Sequence, residues 1–217
     1  MDLITLTNDL EPIAREAGAK IMEVYAKDPQ ADFKGDGSPV TEADRAAEEI
    51  ILPALAQIAP NVSVVSEENG VSHHLKVSDR FFLVDPLDGT KEFLKRDGKG
   101  NFTVNIALIE NGVPVMGIVY APALDRMFIG IVGEGASEKF GGVKTSISIR
   151  TPSTNGVVAV ASSSHRDKAT NDWLTKHFIT DTISIGSSLK FCLIAAGEAD
   201  VYPRFGPTLE WDTGAGD

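Results

Sequence analysis

The stretch Phe81-Phe82-Leu83-Val84-Asp85-Pro86-Leu87-Asp88-Gly89-Thr90 combines an apolar run with two acids and a tight turn. Four consecutive apolar residues are typical of a central strand that is buried on both faces. Asp85 and Asp88 follow this run directly, three residues apart, and Pro86 between them stiffens the turn. Carboxylate oxygens at this density are ligands that Mg²⁺ prefers. The stretch therefore predicts a metal site at the end of a buried strand.

The residues after the second acid favour a phosphate site beside the metal. Gly89 allows the backbone to approach a ligand closely, and Thr90 supplies a hydroxyl that can orient a water molecule. If a helix begins here, its free N–H groups add to an anion site. The competing interpretation is a plain strand-to-helix turn with an Asp N-cap, which explains one of the two acids but not the other.

Further acids recur at the ends of other predicted elements. Glu67-Glu68 follows a short strand, and Asp212 follows Trp211 where a helix opens. Each has a simpler interpretation, as a solvated acidic loop or as a helix-start acid. Asp44 completes the capping-box pattern that Thr41 begins, and capping needs no catalysis. With the two acids above, Glu67 and Asp212 make four acids at strand or helix ends, which suits a pair of metal ions.

The pattern on either side predicts a mixed α/β fold. Apolar residues at steps of three and four predict a helix over residues 3–24, and Thr41 opens a second helix that reaches residue 58. Strands at 62–66, 81–84, 102–109, 113–120 and 126–132 include an antiparallel meander. The second half alternates, with strands at 157–161, 182–185 and 201–202 and helices at 169–178, 189–196 and from 211. A boundary near residue 150 divides an N-terminal α+β subdomain, 1–150, from a C-terminal α/β subdomain, 151–217.

Charge and composition exclude some classes of function. The 217 residues carry a formal net charge of −11, which argues against binding a nucleic-acid polymer. No apolar run is long enough to span a bilayer, and the N-terminus lacks a basic leader. The single cysteine, Cys192, excludes an internal disulfide and suits a reducing compartment. We expect a cytoplasmic protein, with a peripheral position on the inner membrane as the alternative.

Four segments occur in the order found in the inositol-monophosphatase-like superfamily, which the chain resembles over essentially its whole length. They are Lys34 to Asp44 with the motif Asp36-Gly37-Ser38-Pro39-Val40-Thr41, Ser66-Glu67-Glu68, Asp85 to Phe93, and Trp211 to Gly216. The resemblance implies a layered α/β/α/β/α sandwich. Members of the superfamily continue past the last segment with a helix and further strands, so we expect the C-terminal part of such a fold to be missing here.

The resemblance also implies roles for particular residues. Five groups are expected to bind two or three Mg²⁺ ions: Glu67, Asp85, the Leu87 carbonyl, Asp88 and Asp212. Gly89 and Thr90 are expected to bind the phosphate. The catalytic residues are expected to be Thr90 near the attacking water, Asp44 as a partner of Thr90 or of a metal-bound water, and Glu67.

Within the superfamily, the bacterial bisphosphate nucleotidases are the most similar branch. The segments that carry this likeness are Lys91-Glu92-Phe93, 162–167, 186–192 and 202–208. Ser187, Lys190 and Arg204 are expected to hold the phosphate that is not cleaved. Ser164 and His165 are expected on the nucleotide side, although His165 is equally typical of a loop histidine that caps the next helix.

The expected reaction is hydrolysis of a small phosphorylated nucleotide, adenosine 3′,5′-bisphosphate, to AMP and phosphate. A metal-activated water would attack directly, without a covalent enzyme intermediate, in the recycling of a by-product of sulfate assimilation. Two alternatives stay open: an inositol-1-phosphatase with the same chemistry, and a catalytically silent metal- or nucleotide-binding protein. The sequence does not indicate an oligomeric state.

Overall fold

A computed structural model of the chain describes residues 2–27, 30–35, 37, 39–154, 156–162, 164 and 166–217. The helices are α1 Leu3–Tyr25, α2 Glu42–Ile58, α3 Thr90–Lys95, α4 Lys168–Lys176, α5 Leu189–Ala195 and α6 Glu210–Thr213. The strands are β1 Ala31–Phe33, β2 Pro39–Thr41, β3 Ser63–Ser66, β4 Arg80–Asp88, β5 Thr103–Glu110, β6 Val113–Ala121, β7 Arg126–Ile131, β8 Gly135–Phe140, β9 Val143–Ile147, β10 Val158–Ser162 and β11 Asp181–Ile185. The predicted mixed α/β class is confirmed.

A seven-stranded sheet in the order β3-β4-β5-β6-β7-β8-β9 forms the centre of the fold. The first pair is parallel and the other pairs are antiparallel. The apolar run of β4 is buried between two neighbours, as predicted. The register between β4 and β5 shifts between Asp85 and Asp88, because three steps on β4 oppose two on β5. This bulge turns the strand end that carries both acids out of regular pairing.

Helices α1 and α2 cover one face of the sheet. Leu6, Leu10 and Ile21 are buried on α1 at helical spacing, and Ile51 and Leu55 are buried on α2. Both helices belong to the larger hydrophobic cluster, which includes the inward side chains of β4, β5 and β6. Replacing a fully buried residue such as Leu10 by alanine would cost about 2–5 kcal/mol. This layer gives the sheet the rigid backing on which the site depends.

The opposite face carries α5, which contacts both β6 and β10. Strands β10 and β11 form a separate parallel pair, and α4 connects them. A second hydrophobic cluster joins the large sheet to this region through Val119, Phe128, Val160 and Leu189. The small sheet therefore lies beyond α5, and the layers follow the predicted sandwich order.

Several local features differ from the sequence predictions. The hairpin formed by β8 and β9 was not predicted, because its residues are mostly exposed and carry little apolar signal. Strand β2, which was not predicted, pairs with β1 in a short hairpin. Of the predicted strand 201–202, Val201 forms only an isolated bridge to Ala159. Among the described helices, none is both long and apolar enough to cross a membrane.

Candidate active site

Four acids from three separate parts of the fold line one cleft. Glu67 follows β3, Asp85 and Asp88 lie in the bulged end of β4, and Asp212 lies in α6. One carboxylate oxygen from each of Glu67, Asp85 and Asp212 lies within 4.8 Å of the other two. We call these four residues the acid wall. Asp88 lines the same cleft but does not belong to this closest group of three.

Asp85 lies at the centre of the acid wall and is only 1% exposed. Its Oδ1 accepts a hydrogen bond from the Leu87 N–H at 3.0 Å, whereas its Oδ2 is buried and finds no hydrogen-bond partner among the described residues. Burial and the nearby charge of Glu67 raise the pKa of Asp85 well above its usual range. A buried oxygen without a donor, surrounded by like charges, fits a bound cation. The donor set is all oxygen, which suits Mg²⁺.

Asp88 is held by hydrogen bonds from two neighbouring elements. Its Oδ2 accepts hydrogen bonds from the Ser188 N–H at 2.5 Å and from the Asn105 side chain at 3.5 Å. Burial, followed by repulsion from Asp212, raises the pKa of Asp88 to about 7, although Lys190 acts in the opposite direction. Asp88 is therefore fixed by β5 and by the start of α5.

Asp212 is the acid supplied from the other end of the chain. Its Oδ2 accepts a hydrogen bond from the Leu209 N–H at 3.2 Å, so the same carboxylate also caps α6. Burial is the main cause that raises the pKa of Asp212 to about 6, and repulsion from Glu67 adds to it. The two interpretations of Asp212, as a helix-start acid and as a site acid, are thus compatible.

Asp44 combines the two roles that the sequence left open. Its Oδ2 accepts hydrogen bonds from the N–H and the hydroxyl of Thr41, both at 2.7 Å, which completes the capping box of α2. Its Oδ1 accepts a hydrogen bond from Thr90 Oγ1 at 3.1 Å. Thr90 Oγ1 also lies 3.2 Å from the Leu87 carbonyl. Burial raises the pKa of Asp44 despite these bonds. Asp44 is therefore placed behind Thr90, which lines the cleft.

Gly89 is required by the geometry of the turn into α3. Its φ is +91°, and a Cβ there would lie 2.9 Å from the Asn101 carbonyl oxygen and 3.3 Å from Ser187 Cβ. Only glycine meets both demands without strain. The turn therefore brings the backbone at Gly89 and Thr90 to the lining of the cleft, close to Ser187.

The same cleft is also lined by Lys190 and Arg204, which we call the cation wall. The cleft has a volume of about 770 Å³ and is lined by both walls together with Ser187. Lys190 Nζ donates to the Ser187 carbonyl and lies 5.5 Å from the Tyr202 ring centroid. Burial lowers the pKa of Lys190, although Asp88 favours its charged form.

Arg204 is only partly satisfied by the protein. Its Nη2 donates to the Pro207 carbonyl at 2.8 Å, and its buried Nε has no acceptor in the part of the chain that the structure describes. A guanidinium with a spare donor beside a cleft is suited to an anionic ligand.

Ser164, one of the predicted substrate residues, does not join the cation wall. The Ser164 hydroxyl donates to Glu92 and accepts from Lys95 Nζ at 2.8 Å, and Ser164 does not line the cleft. His165 lies outside the described residues. Ser187, Lys190 and Arg204 do line the cleft.

Sequence reasoning missed the lysine that neutralises part of the acid wall. Lys34 Nζ lies 2.8 Å from Glu67 and 2.7 Å from Glu68, and these carboxylates raise its pKa. Burial in turn raises the pKa of Glu68 to about 7. Lys34 stands at the head of a motif segment, but nothing in the local pattern indicates a partner 33 residues away. Asn105 and Ser188, which hold Asp88, were missed for the same reason.

Comparison with known proteins finds a matching family profile and several similar relatives. The profile of the inositol monophosphatase family matches residues 2–217. The 3′(2′),5′-bisphosphate nucleotidase CysQ of Salmonella typhimurium is 48% identical over 207 residues, 94% of this chain and 82% of the relative. The enzyme of the same name from Escherichia coli strain K12 is 46% identical over the same shares.

Two solved structures have the same fold. CysQ from Bacteroides thetaiotaomicron, a bacterial member of the inositol monophosphatase family, is 40% identical with a TM-score of 0.80, covering 98% of this chain and 84% of that one. Inositol monophosphatase from Anabaena is 26% identical with a TM-score of 0.79, covering 100% of this chain and 80% of that one. The match along the whole sequence and the shared fold agree, and the chain belongs to the inositol monophosphatase family.

Proposed function

We propose that this chain is a metal-dependent 3′(2′),5′-bisphosphate nucleotidase that hydrolyses adenosine 3′,5′-bisphosphate to AMP and phosphate. The observation that carries the proposal is a single cleft that both the acid wall and the cation wall line. Relatives that are 46–48% identical carry the nucleotidase name. A substrate with two phosphates needs a different partner for each, and the cleft offers two.

The acid wall is proposed to bind two or three Mg²⁺ ions through Glu67, Asp85, Asp88 and Asp212, with the Leu87 carbonyl as a further ligand. The Asp85 oxygen that lacks a donor fits this role. Such ions neutralise phosphoryl oxygens and make a water molecule more acidic. Without them, four acids in the cleft would repel a phosphate.

Thr90 and Asp44 are proposed to orient the attacking water. Thr90 Oγ1 has one hydrogen, which it donates to Asp44 or to the Leu87 carbonyl. Its lone pairs then remain available to accept a hydrogen bond from a water molecule in the cleft. Glu67 lines the same cleft and can accept a hydrogen bond from the other hydrogen of that water. Attack of the water oxygen on phosphorus breaks the ester P–O bond; the water gives up one proton, and the leaving ribose oxygen takes up a proton to become a hydroxyl.

The cation wall is proposed to hold the phosphate that is not cleaved. Arg204 is always charged and presents a planar set of donors, and Lys190 adds a point charge fixed by Ser187 and Tyr202. The charge of each wall also favours the ionised form of the other, because Asp88 and Lys190 attract one another. In this division, residues 1–150 supply most of the chemistry and 151–217 most of the nucleotide contacts, with Asp212 as the exception.

An inositol-phosphate substrate is the second candidate, favoured by the structural likeness to the inositol monophosphatase from Anabaena. Such a substrate would leave Lys190 and Arg204 without a second phosphate. Phosphate release from adenosine 3′,5′-bisphosphate and from inositol 1-phosphate, each with Mg²⁺ and with EDTA, separates the candidates. We expect turnover of the nucleotide with Mg²⁺ and none with EDTA. Preference for inositol phosphate, activity in EDTA, or binding without turnover would each refute the proposal. We place the reaction in the cytoplasm, where AMP can re-enter metabolism.

A further inference from the structure

A surface turn after β3 reaches two segments that carry site acids. Residues Ser72–His74 form one 3₁₀ turn. The Ser72 hydroxyl accepts a hydrogen bond from the Ser66 N–H at 3.0 Å and donates to the Asn69 carbonyl at 2.6 Å. Ser66 directly precedes Glu67, so this turn fixes the backbone from which one acid projects.

His73 extends this contact from the same turn. Its Nε2 lies 2.8 Å from the Ser66 carbonyl oxygen. Because a carbonyl can only accept, Nε2 carries the hydrogen in this contact. The ring therefore has one edge fixed to the segment of Glu67, while its face is free to meet another group.

The face of His73 stacks on Trp211, with centroids 4.7 Å apart and an interplanar angle of 22°. Trp211 directly precedes Asp212 in a helix of only four residues. Its buried Nε1 has no acceptor within the described residues, so no hydrogen bond of the indole holds the ring in place. Packing against neighbours such as His73 therefore largely determines where α6 places the Asp212 carboxylate.

We propose that His73 is a positioning residue that joins the segments of Glu67 and Asp212 and holds the two carboxylates at the separation a cation requires. The inference rests on the proposed function in one respect, that the acid wall binds a divalent metal. It predicts that the loss of the His73 ring weakens metal binding while the chemistry at saturating metal is preserved. The ring stack is the critical contact, because β3 already holds Ser66 in the sheet, whereas α6 is short.

The test measures metal binding directly. Mn²⁺ takes the same oxygen ligands, and its free concentration is read by electron paramagnetic resonance. Trp211 is the only tryptophan left when Trp173 is replaced by phenylalanine, since the chain has two, and its emission follows the same titration. In this background we expect His73→Ala to raise the dissociation constant for Mn²⁺ by roughly three- to tenfold, the size of one aromatic contact.

Two further variants separate the contacts of His73. His73→Phe keeps a ring for Trp211 and should stay within about twofold of the parent, whereas His73→Gln keeps a donor for Ser66 and should resemble alanine. His74→Ala, an exposed neighbour in the same turn, is the matched control and should change nothing. At saturating Mg²⁺ the His73→Ala enzyme should recover parental turnover and KM.

The outcomes distinguish this inference from the proposed function. An unchanged Mn²⁺ constant in His73→Ala, or a defect that saturating metal does not correct, would each overturn the positioning role. Those results would leave a metal-dependent parent enzyme intact. A parent that binds no Mn²⁺ and releases phosphate in EDTA would overturn the proposed function and this inference together.

Discussion

The two walls of the cleft are built in opposite ways. The acid wall lies at the ends of β3 and β4 and in the short helix α6, all next to the central sheet. Two of its acids come from the bulged strand β4. The cation wall comes from α5 and from the irregular segment before α6, outside the large sheet. Burial disfavours the charged form on both sides, raising the pKa of Asp85 and Asp88 and lowering that of Lys190. The acid wall, which the central sheet backs, suits the chemistry, whereas the cation wall suits the choice of substrate.

The largest predicted effect comes from breaking the acid wall. Asp88→Asn keeps the size of the side chain and an oxygen that can accept from the Ser188 N–H, but removes the negative charge. We expect turnover to fall at least about a thousandfold, as for the loss of several kcal/mol of metal-based stabilisation. Steady-state phosphate release at saturating substrate measures this.

The control for this variant is Asp9→Asn, a change at an exposed position on α1, which should leave turnover unchanged. If Asp88→Asn loses less than about tenfold, roughly 1.4 kcal/mol of barrier, Asp88 is not a metal ligand and the acid wall reduces to the closest group of three.

The second predicted effect breaks the cation wall and should change binding instead of chemistry. Arg204→Ala removes the guanidinium whose Nε is left without an acceptor in the described structure. Loss of a charge-assisted hydrogen bond costs about 1.5–3 kcal/mol, so we expect KM for adenosine 3′,5′-bisphosphate to rise roughly ten- to a hundredfold. Hydrolysis of a substrate with a single phosphate should change little.

Arg45→Ala is the matched control for the second prediction, because Arg45 pairs with Asp32 at an exposed site. Equal losses of Arg204→Ala on both substrates, or none on the bisphosphate, would remove Arg204 from the substrate site. The preference for a nucleotide over inositol phosphate would then lack its main support.

The part of the site on β4 and at the start of α3 could be predicted well from the sequence, and the reason is locality, whereas Glu67 and Asp212 lie far away in the chain and were assigned through the family resemblance. Asp85, Asp88, Gly89 and Thr90 lie in one short stretch whose strand, turn and helix start are visible as a pattern. The capping box of Asp44 is equally local, and the structure confirms it. What local patterns could not predict is that the Thr90 hydroxyl lies against Asp44, since 46 residues separate them.

The contacts that adjust the site could not be predicted in this way. Lys34 meets Glu67, and Ser188 meets Asp88, only after the sheet and α5 have packed. Ser164 was expected to contact substrate, and the structure instead shows its hydroxyl bonded to Glu92 and Lys95. A substrate contact for Ser164 stays a prediction. Polar side chains of this kind have several possible partners, and tertiary packing decides among them.

The smallest predicted effect concerns the stability of the protein without metal. Burial raises the pKa of Asp88 to about 7 and that of Asp212 to about 6, and it raises the pKa of Asp85 as well. In the unfolded chain these carboxyls lose their protons near pH 4, at about their ordinary pKa. Between roughly pH 4 and pH 7 the folded state therefore holds more protons than the unfolded state, and its stability falls as the pH rises.

Thermal unfolding in EDTA tests this expectation and distinguishes the two walls. We expect the unfolding temperature to be about 5 °C or more higher at pH 5 than at pH 7.5, equivalent to about 2 kcal/mol for a chain of this size. Mg²⁺ at pH 7.5 should restore stability, because it binds only the folded state. Asp88→Asn has one fewer titrating carboxyl, so its pH dependence should be flatter, whereas Arg204→Ala should keep the parental slope. A parent that is equally stable at both pH values would show that the acid wall imposes no cost when the metal is absent.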